Sequence, residues 1–279
     1  MNHFETNWES ADGLQIFAQG WESTVIQPKA VVCLVHGLGE HSSRYAHVGE
    51  SLARDGFILF ASDLRGHGRS GGVRGHISSI EDFMTDIDLL LVQARTRYPG
   101  LPIILYGHSL GGIQVLHYGL IRKPNIKGVI ATSPGLHTEL EKQQGKVLAA
   151  KVLGSLIPNT LLASGLDPKG ISRDEKVVQT YIADPLVHDK ISLGFGKIML
   201  GVTNWTLEHA GEFPLPLLLM HGKADKIAFP SSSTEFAASM KGKATLVLWD
   251  DAAHELHNEF EKEEFFKTMK LWMNARLQE

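Results

Sequence analysis

Ser109 stands between two glycines in the stretch GHSLGG, directly after an apolar run. A serine hydroxyl is a weak nucleophile that attacks an acyl carbon only when a base lies beside it. Gly107 and Gly111 permit the tight strand-to-helix turn that lifts such a hydroxyl clear of a sheet. The apolar run 102–107 and the helical pattern 110–121 predict a strand before the serine and a helix after it. Gly-x-Ser-x-Gly alone is common by chance, but in this context it predicts a nucleophile.

An acid and a histidine follow this serine in the order that a Ser-acid-His triad requires. Asp225 and His254 each stand in a loop directly after a predicted strand. Because such loops meet at the carboxyl edge of a parallel sheet, we expect Asp225 to orient His254, which takes the proton of Ser109. Asp250 and Asp251 are rivals for the acid, but they lie on the same loop as the histidine. The alternative interpretation is a turn-capping aspartate and a surface histidine.

The tetrahedral intermediate of acyl transfer also needs two N–H donors for its oxyanion. The amide of Leu110, directly after the serine, is the first candidate. The second is predicted in the loop HGLGEH after the run 30–35, where we select Leu38. Gly37 and Gly39 keep that loop open. A phosphate-binding loop is the alternative, but the third glycine of a dinucleotide fingerprint and the Gly-Lys-Ser/Thr of a P-loop are missing.

Bulk composition argues against several other classes of function. The chain has 279 residues and a net charge of −4, which does not favour a nucleic-acid partner. The stretch HELHN from His254 is the only hint of a zinc helix, and it fails because Asn258 stands where HExxH requires histidine. We therefore expect no metal. Cys33, the single cysteine, is predicted to fill the core.

The cellular location is predicted from what the sequence does not show. The polar N-terminus has neither the basic start nor the apolar stretch of a signal peptide, and no apolar run reaches the roughly 18 residues of a membrane span. With one cysteine, this pattern predicts a cytoplasmic protein.

Short apolar runs alternate with helical patterns along most of the chain, which predicts a mostly parallel sheet with helices on both faces. The first 21 residues are predicted to add an antiparallel pair of strands that turns at ADG. The predicted buried strands, rich in Val, Ile and Leu, are 30–35, 57–62, 102–107, 126–132, 215–220 and 244–249.

After the sixth strand the strand rhythm stops for about eighty residues. A structureless loop of that length is uncommon in a compact domain, and the stretch 146–157 has helical spacing. We therefore predict a helical cap at 136–207, inserted into a core made of 1–135 and 208–279. Apolar cap residues form either an acyl tunnel or the core of the cap. They are Leu148, Leu153, Leu156, Ile157, Leu162, Leu193, Phe195 and Met199.

Five motifs in the same order as in a known group of enzymes support these expectations. They are HGLGEHSSRY, DLRGHGRSGGVRGH, GHSLGG, GKADKI and AAHELHNE. From about residue 5 to 277 the chain resembles the monoacylglycerol lipase and lysophospholipase group of α/β-hydrolases, also grouped with serine aminopeptidases. The resemblance implies an eight-stranded, mostly parallel sheet, a helical cap and no cofactor. It places the triad and the oxyanion donors at Ser109, Asp225, His254, Leu38 and Leu110.

The resemblance also implies a polar site for the glycerol moiety. In monoacylglycerol lipases the Glu and Arg of the first motif and the second His of the last one shape that site, which here are Glu40, Arg44 and His257. An equally favoured alternative is that Glu40 and Arg44, four residues apart, form a salt bridge, and one pair could serve both roles. His108, beside the nucleophile, is a further candidate for the substrate site or a packing residue.

The predicted function is hydrolysis of monoacylglycerols to glycerol and fatty acid through an acyl-enzyme on Ser109. A lysophospholipase or a broad short-chain esterase would use the same residues. An aminopeptidase would need a carboxylate for the substrate ammonium, a role open to Glu40. A non-catalytic ligand-binding protein is the least favoured alternative, because the triad is intact in the sequence. The apolar face of the cap is a candidate for transient contact with a membrane surface, and the oligomeric state is left open.

Overall fold

A mixed sheet of eight strands forms the centre of the molecule in the part of the chain that the computed structural model describes, residues 1–24 and 27–278. The chain also contains a ribbon of two short strands, β7 and β8, outside this sheet. The ten strands are β1 (Asn2–Glu9), β2 (Gln15–Glu22), β3 (Ala30–Val35), β4 (Phe57–Ser62), β5 (Ile103–His108), β6 (Gly128–Thr132), β7 (Leu161–Ala163), β8 (Lys190–Ser192), β9 (Leu217–Gly222) and β10 (Ala244–Trp249).

The strand order in the large sheet is β1-β2-β4-β3-β5-β6-β9-β10. β1 and β2 pair antiparallel, as do β2 and β4, whereas the strands from β4 to β10 along this order run parallel. Strands β3, β4, β5, β6 and β9 are buried along their whole length, as expected for a parallel sheet that is covered on both faces. The predicted eight-stranded, mostly parallel sheet is therefore present.

Helices cover both faces of this sheet and create two apolar cores. Side chains of β3 alternate between the cores: Cys33 packs with α2, α3, α6 and α7, whereas Leu34 packs with α1 and α8. Cys33 thus fills the core, as predicted. The helices are α1 (Ala46–Arg54), α2 (Ile80–Arg97), α3 (Leu110–Arg122), α4 (Gln144–Leu153), α5 (Glu175–Ala183), α6 (Leu193–Glu208), α7 (Pro230–Ser239) and α8 (Lys262–Leu277).

A long insertion, residues 133–216, connects β6 to β9 and contains α4, β7, α5, β8 and α6. The sequence predicted no strand in this interval, yet β7 and β8 pair antiparallel, with Leu162 opposite Ile191. Strands of three residues are too short to show a period of two, which is why the pattern did not reveal them. The predicted limits of the cap, 136 and 207, stay a prediction.

The eight apolar cap residues are divided between two environments. Leu162, Leu193, Phe195 and Met199 line a cavity. Leu148, Leu153, Leu156 and Ile157 are exposed, with Leu156 at 74%. Neither of the two predicted alternatives, tunnel or cap core, describes the second group.

Strand register brings the loops that follow the strands to one edge of the sheet. Val35 at the end of β3 pairs with Gly107 of β5, and His108 pairs with Thr132 of β6. Thr132 in turn pairs with Met220 of β9. Gly222, at the end of β9, pairs with Trp249 at the end of β10. The loops after β3, β5, β6, β9 and β10 therefore converge, as the carboxyl ends of parallel strands do.

Candidate active site

Ser109 occupies a sharp turn between β5 and α3. Its backbone has φ 53° and ψ −112°, a combination that non-glycine residues adopt only when their surroundings enforce it. The Ser109 N–H donates to the Thr132 carbonyl oxygen at 2.9 Å, which ties the turn to β6. A Cβ on Gly107 would lie 2.2 Å from the Gly111 carbonyl oxygen, and one on Gly111 would lie 2.0 Å from that of Val35. Glycine at both positions therefore allows the predicted strand–turn–helix geometry.

The helix that follows the serine supplies one of the predicted oxyanion donors. Leu110 is the first residue of α3, so its N–H belongs to the first turn, where helical N–H groups have no partner within the helix. The positive end of the helix dipole adds to the attraction for an oxyanion there. Leu38 lies across the turn, partly buried, on the loop after β3. A Cβ on Gly37, its neighbour, would lie 3.3 Å from the Cβ of Ser109, which shows how closely the two loops approach.

Asp225 and His254 form the predicted acid–histidine pair. Asp225 Oδ2 lies 2.7 Å from His254 Nδ1, and both side chains are buried. The second carboxylate oxygen, Oδ1, accepts from the N–H groups of Ile227 and Ala228 at 2.8 and 3.0 Å. His221 Nε2 lies 3.0 Å from Oδ2. These contacts fix the carboxylate, so that it holds the imidazole of His254 in one orientation.

The charge of this pair shifts both pKa values in the direction that a general base needs. Burial opposes the charged form of His254, but the negative charge and hydrogen bond of Asp225 outweigh it and raise the pKa of the imidazole. Burial also acts against the carboxylate form of Asp225, yet His254 and His221 hold its pKa well below the usual range. Asp225 is therefore held in its ionised form, and the protonated form of His254 is favoured. The rival acid Asp250 forms an ion pair with Lys223 instead.

Two cavities meet at Ser109. An apolar cavity of about 170 Å³ is lined by Leu110, Ile113, Phe195 and other apolar side chains of α3, α4 and α6. A second cavity of about 300 Å³, the polar cavity, has a larger polar share in its lining than the first and contains His254 and His108. Leu38 and Ser109 line both cavities, so the hydroxyl stands at the boundary between an apolar space and a polar one.

A buried ion network lies under the polar cavity. Glu40 Oε1 accepts from the Gly37 N–H at 2.6 Å and from the Tyr45 hydroxyl at 2.8 Å, and Oε2 accepts from Arg44 at 2.6 Å. Arg44 also donates two bonds of 2.7 Å to the carboxylate of Glu255. The predicted salt bridge between Glu40 and Arg44 is therefore present. Its geometry fixes the turn at Gly37 and joins the β3 loop to the His254 loop.

Of the four residues predicted to bind substrate, two line the polar cavity and two do not. Glu40 and His108 line the polar cavity, whereas Arg44 and His257 are not among the described residues that line either cavity. The guanidinium of Arg44 is engaged by two carboxylates and stacks 4.7 Å from the Tyr181 ring centroid. His257 is fully buried, its ring centroid 4.6 Å from that of Tyr45. Direct contact of Arg44 or His257 with substrate stays a prediction.

Sequence reasoning missed several residues that hold this site together. Glu255 directly follows the histidine, and its carboxylate forms a buried ion pair with Arg44 that no local pattern indicates. Ser133 donates its hydroxyl to the His254 carbonyl oxygen at 2.7 Å, and His221 contacts the acid. The Ser133 contact joins residues 121 positions apart, which no motif could have shown, whereas His221 stands only four residues before Asp225 and its contact is local.

The strained serine turn above a mostly parallel eight-stranded sheet is the arrangement of the α/β-hydrolases. The chain belongs to the family described as serine aminopeptidase, S33, whose model matches residues 26–261. The predicted family and fold are thus confirmed.

Relatives of known structure or function cover nearly the whole chain. The monoacylglycerol lipase of Mycolicibacterium smegmatis is 31% identical over 275 residues, which are 98% of each chain. The crystal structure of the Paleococcus ferrophilus monoacylglycerol lipase is 35% identical, with a TM-score of 0.84, and the match covers 99% of this chain and 100% of that one. An uncharacterized abhydrolase domain-containing protein of Dictyostelium discoideum is 41% identical over 256 residues, 91% of this chain. The match spans only 27% of the Dictyostelium protein.

None of the helices among residues 1–24 and 27–278 combines the length and the apolar character that crossing a bilayer requires.

Proposed function

We propose that this protein is a carboxylic ester hydrolase that cleaves monoacylglycerols to glycerol and fatty acid. The observation that carries the proposal is the position of Ser109 at the boundary of an apolar and a polar cavity. A monoacylglycerol has the same division, since its ester joins an apolar chain to a polyol. The similarity to two monoacylglycerol lipases over nearly the whole chain supports the same substrate class.

In the proposed reaction, the Ser109 hydroxyl oxygen bonds to the ester carbon while His254 Nε2 takes the hydroxyl proton. The carbonyl oxygen becomes an oxyanion that the N–H groups of Leu38 and Leu110 stabilise. The bond to the glycerol oxygen then breaks, and His254 gives that oxygen its proton. A water molecule, deprotonated by the same imidazole, cleaves the acyl-enzyme and restores the serine. Asp225 holds the imidazole throughout and stabilises its charged form.

In this proposal the first role of Glu40 is to fix the backbone of the loop after β3. Its carboxylate accepts from the Gly37 N–H, which fixes the turn before Leu38. A donor held in this way needs no rearrangement when the oxyanion forms. Glu40 also lines the polar cavity, where a carboxylate can accept a hydrogen bond from a glycerol hydroxyl.

The insertion supplies the proposed cap. Its α6 contributes Phe195 and Met199 to the apolar cavity, so it covers the space where an acyl chain would lie. On its outer side α4 and the turn after it expose Leu148, Val152, Leu156 and Ile157. Exposed apolar side chains next to a lipid-binding cavity are suited to transient contact with a membrane surface, from which the substrate would enter.

The proposal is tested by comparing wild type with Ser109→Ala on a monoacylglycerol, with release of glycerol and fatty acid as the readout. We expect turnover by wild type and a loss of roughly a million-fold in kcat for the variant, as for other serine hydrolases that lose the nucleophile. Lysophospholipids and aminoacyl amides of matched size belong in the same panel. Hydrolysis of amides without hydrolysis of esters would replace this proposal by an aminopeptidase.

A further inference from the structure

Carboxylates outnumber the cationic side chains in the wall of the polar cavity. Its lining contains five acidic side chains and, among the described residues, no lysine or arginine. Two of the acids come from the core and three from the insertion. They are Glu40, Glu255, Asp167, Asp184 and Asp189.

The histidines of this wall do not balance that charge at neutral pH. Burial, together with the nearby His254, lowers the pKa of His108 to about 3. Burial and the charge of Arg74 lower the pKa of His188 to about 4. Both rings are therefore neutral when the enzyme works near pH 7, which leaves His254 as the titrating histidine of the wall.

Arg44, which contacts two carboxylates of the wall, is already neutralised. It lies between Glu40 and Glu255, and these two carboxylates leave the trio with one net negative charge. Although burial opposes ionisation of Glu40, the charge of Arg44 holds its pKa at about 2, so that its negative charge persists. The trio thus adds a buried negative charge beside His254, where salt screens poorly.

The insertion adds three carboxylates that are more exposed than those of the trio. Asp184 Oδ2 lies 2.9 Å from Nε2 of His41, and its side chain is 23% exposed. Asp167 and Asp189 are exposed at the rim. Asp189 pairs with Lys190 at 3.2 Å, but both side chains are at least half exposed, so that pair is weak.

We propose that this wall selects the head group of the ester by charge: the cavity takes uncharged or cationic head groups and rejects those that carry a phosphate on the glycerol. This inference rests on the proposed function and narrows its substrate class. A phosphate held a few ångströms from the trio meets no lysine or arginine among the described lining residues, and several carboxylates repel it. The same wall does not repel the hydroxyls of a polyol, because a hydroxyl is uncharged and can donate a hydrogen bond to a carboxylate.

The test uses three esters with one acyl chain and one glycerol-like frame, each below its critical micelle concentration. They differ at the third carbon, which carries a hydroxyl, a quaternary ammonium or a phosphate monoester. For wild type we expect kcat/KM for the hydroxyl and ammonium esters to exceed that for the phosphate ester by about 100-fold or more. Raising the salt concentration should narrow this ratio, since screening weakens the repulsion from the rim.

Charge reversal at the rim tests whether the carboxylates of the wall cause the low kcat/KM that is expected for the phosphate ester. Asp167→Lys and Asp189→Lys should each raise kcat/KM of the phosphate ester relative to the hydroxyl ester by about fivefold or more, and the two Asn variants by less. Glu263→Lys is the matched control, because Glu263 is an exposed carboxylate of α8 that lines neither cavity. It should leave the ratio unchanged.

Two failures are distinguishable. Turnover of the hydroxyl ester with an equal rate on the phosphate ester, or a ratio that the rim variants do not move, would overturn the charge selection and leave the proposed function standing. No turnover of any of the three esters would overturn both.

Discussion

Charges around His254 decide the pH at which the proposed base is active. Asp225 contacts its ring directly, and the carboxylates of Glu255 and Glu40 favour its protonated form from further away. His108 lies with its ring centroid 4.9 Å from that of His254 and stays neutral. The protonated imidazole cannot accept the Ser109 proton. Activity is therefore lost as the pH falls through the pKa of His254.

The first prediction concerns this pH dependence. Because the pKa of His254 is raised, the kcat/KM of wild type should rise with pH and reach half its plateau above the ordinary histidine value of about 6.5. Asp225→Asn removes the first of the charges that raise the pKa of His254. The midpoint of its pH profile should therefore lie at a lower pH than that of wild type, and its plateau activity should be much lower. The measurement is kcat/KM on one soluble ester from pH 5 to 9. A flat profile would contradict a histidine base.

The second prediction separates the electrostatic effect of Glu255 from its structural one. Glu255→Gln removes a negative charge near His254, so the midpoint of the pH profile should move to lower pH. Glu259→Gln is the matched control, because Glu259 is a buried carboxylate of the same loop that pairs with Arg173 instead. It should lower stability without moving the midpoint. Equal midpoints in all three proteins would refute the role of Glu255.

At the scale of elements, the serine turn depends on the close packing of its glycines. The third prediction is that Gly111→Ala unfolds more easily by ~3 kcal/mol or more and loses its activity, because the new Cβ would meet the Val35 carbonyl oxygen at 2.0 Å. Gly201→Ala is the control, since a Cβ there meets nothing within 4 Å and Gly201 lies inside α6. It should be neutral or stabilising by up to ~1 kcal/mol. Urea unfolding curves measure both.

The elements that carry the site were predictable because their patterns are local. The run 30–35 and the run 244–249 coincide with β3 and β10, since each is a short apolar stretch between polar turns. The helix α3 was recognised from the same kind of signal. The ribbon of β7 and β8 was not, because strands of three residues are too short to show a period of two.

The site itself was predictable as far as chemistry fixes residue type and order. Ser109 was predicted from a motif, and Asp225 and His254 from their order and their positions after strands; the acid and the histidine are in contact. The sequence left the role of Arg44 open, because whether an arginine faces a cavity or a second carboxylate depends on Glu255, more than two hundred residues away. Long-range ion pairs of this kind leave no periodic trace.

At the scale of the whole molecule, one surface combines exposed leucines with the cavity for the acyl chain. Leu148 is 62% exposed and Leu156 is 74% exposed, on the outer side of the proposed cap. An exposed leucine that enters the lipid interface stabilises binding by ~1.5 kcal/mol or more. This surface is therefore the part of the molecule expected to touch a membrane.

The fourth prediction is that Leu148→Ser and Leu156→Ser each weaken binding to neutral vesicles by about tenfold. Leu271→Ser is the control, because Leu271 is 64% exposed on α8, outside the insertion. Co-sedimentation with phosphatidylcholine vesicles measures binding without any contribution from catalysis. Equal binding by the control and the two insertion variants would remove the proposed membrane surface.

The central claim is that Ser109 forms a covalent bond to the acyl group of the substrate. Its most direct test is mass spectrometry of the enzyme quenched during turnover of a monoacylglycerol, followed by mapping of the modified peptide. We predict an added acyl mass on Ser109 in enzyme that is quenched with acid during turnover, and no such mass in Ser109→Ala. Turnover by wild type with the acyl group on another residue, or undiminished turnover by Ser109→Ala, would contradict the account.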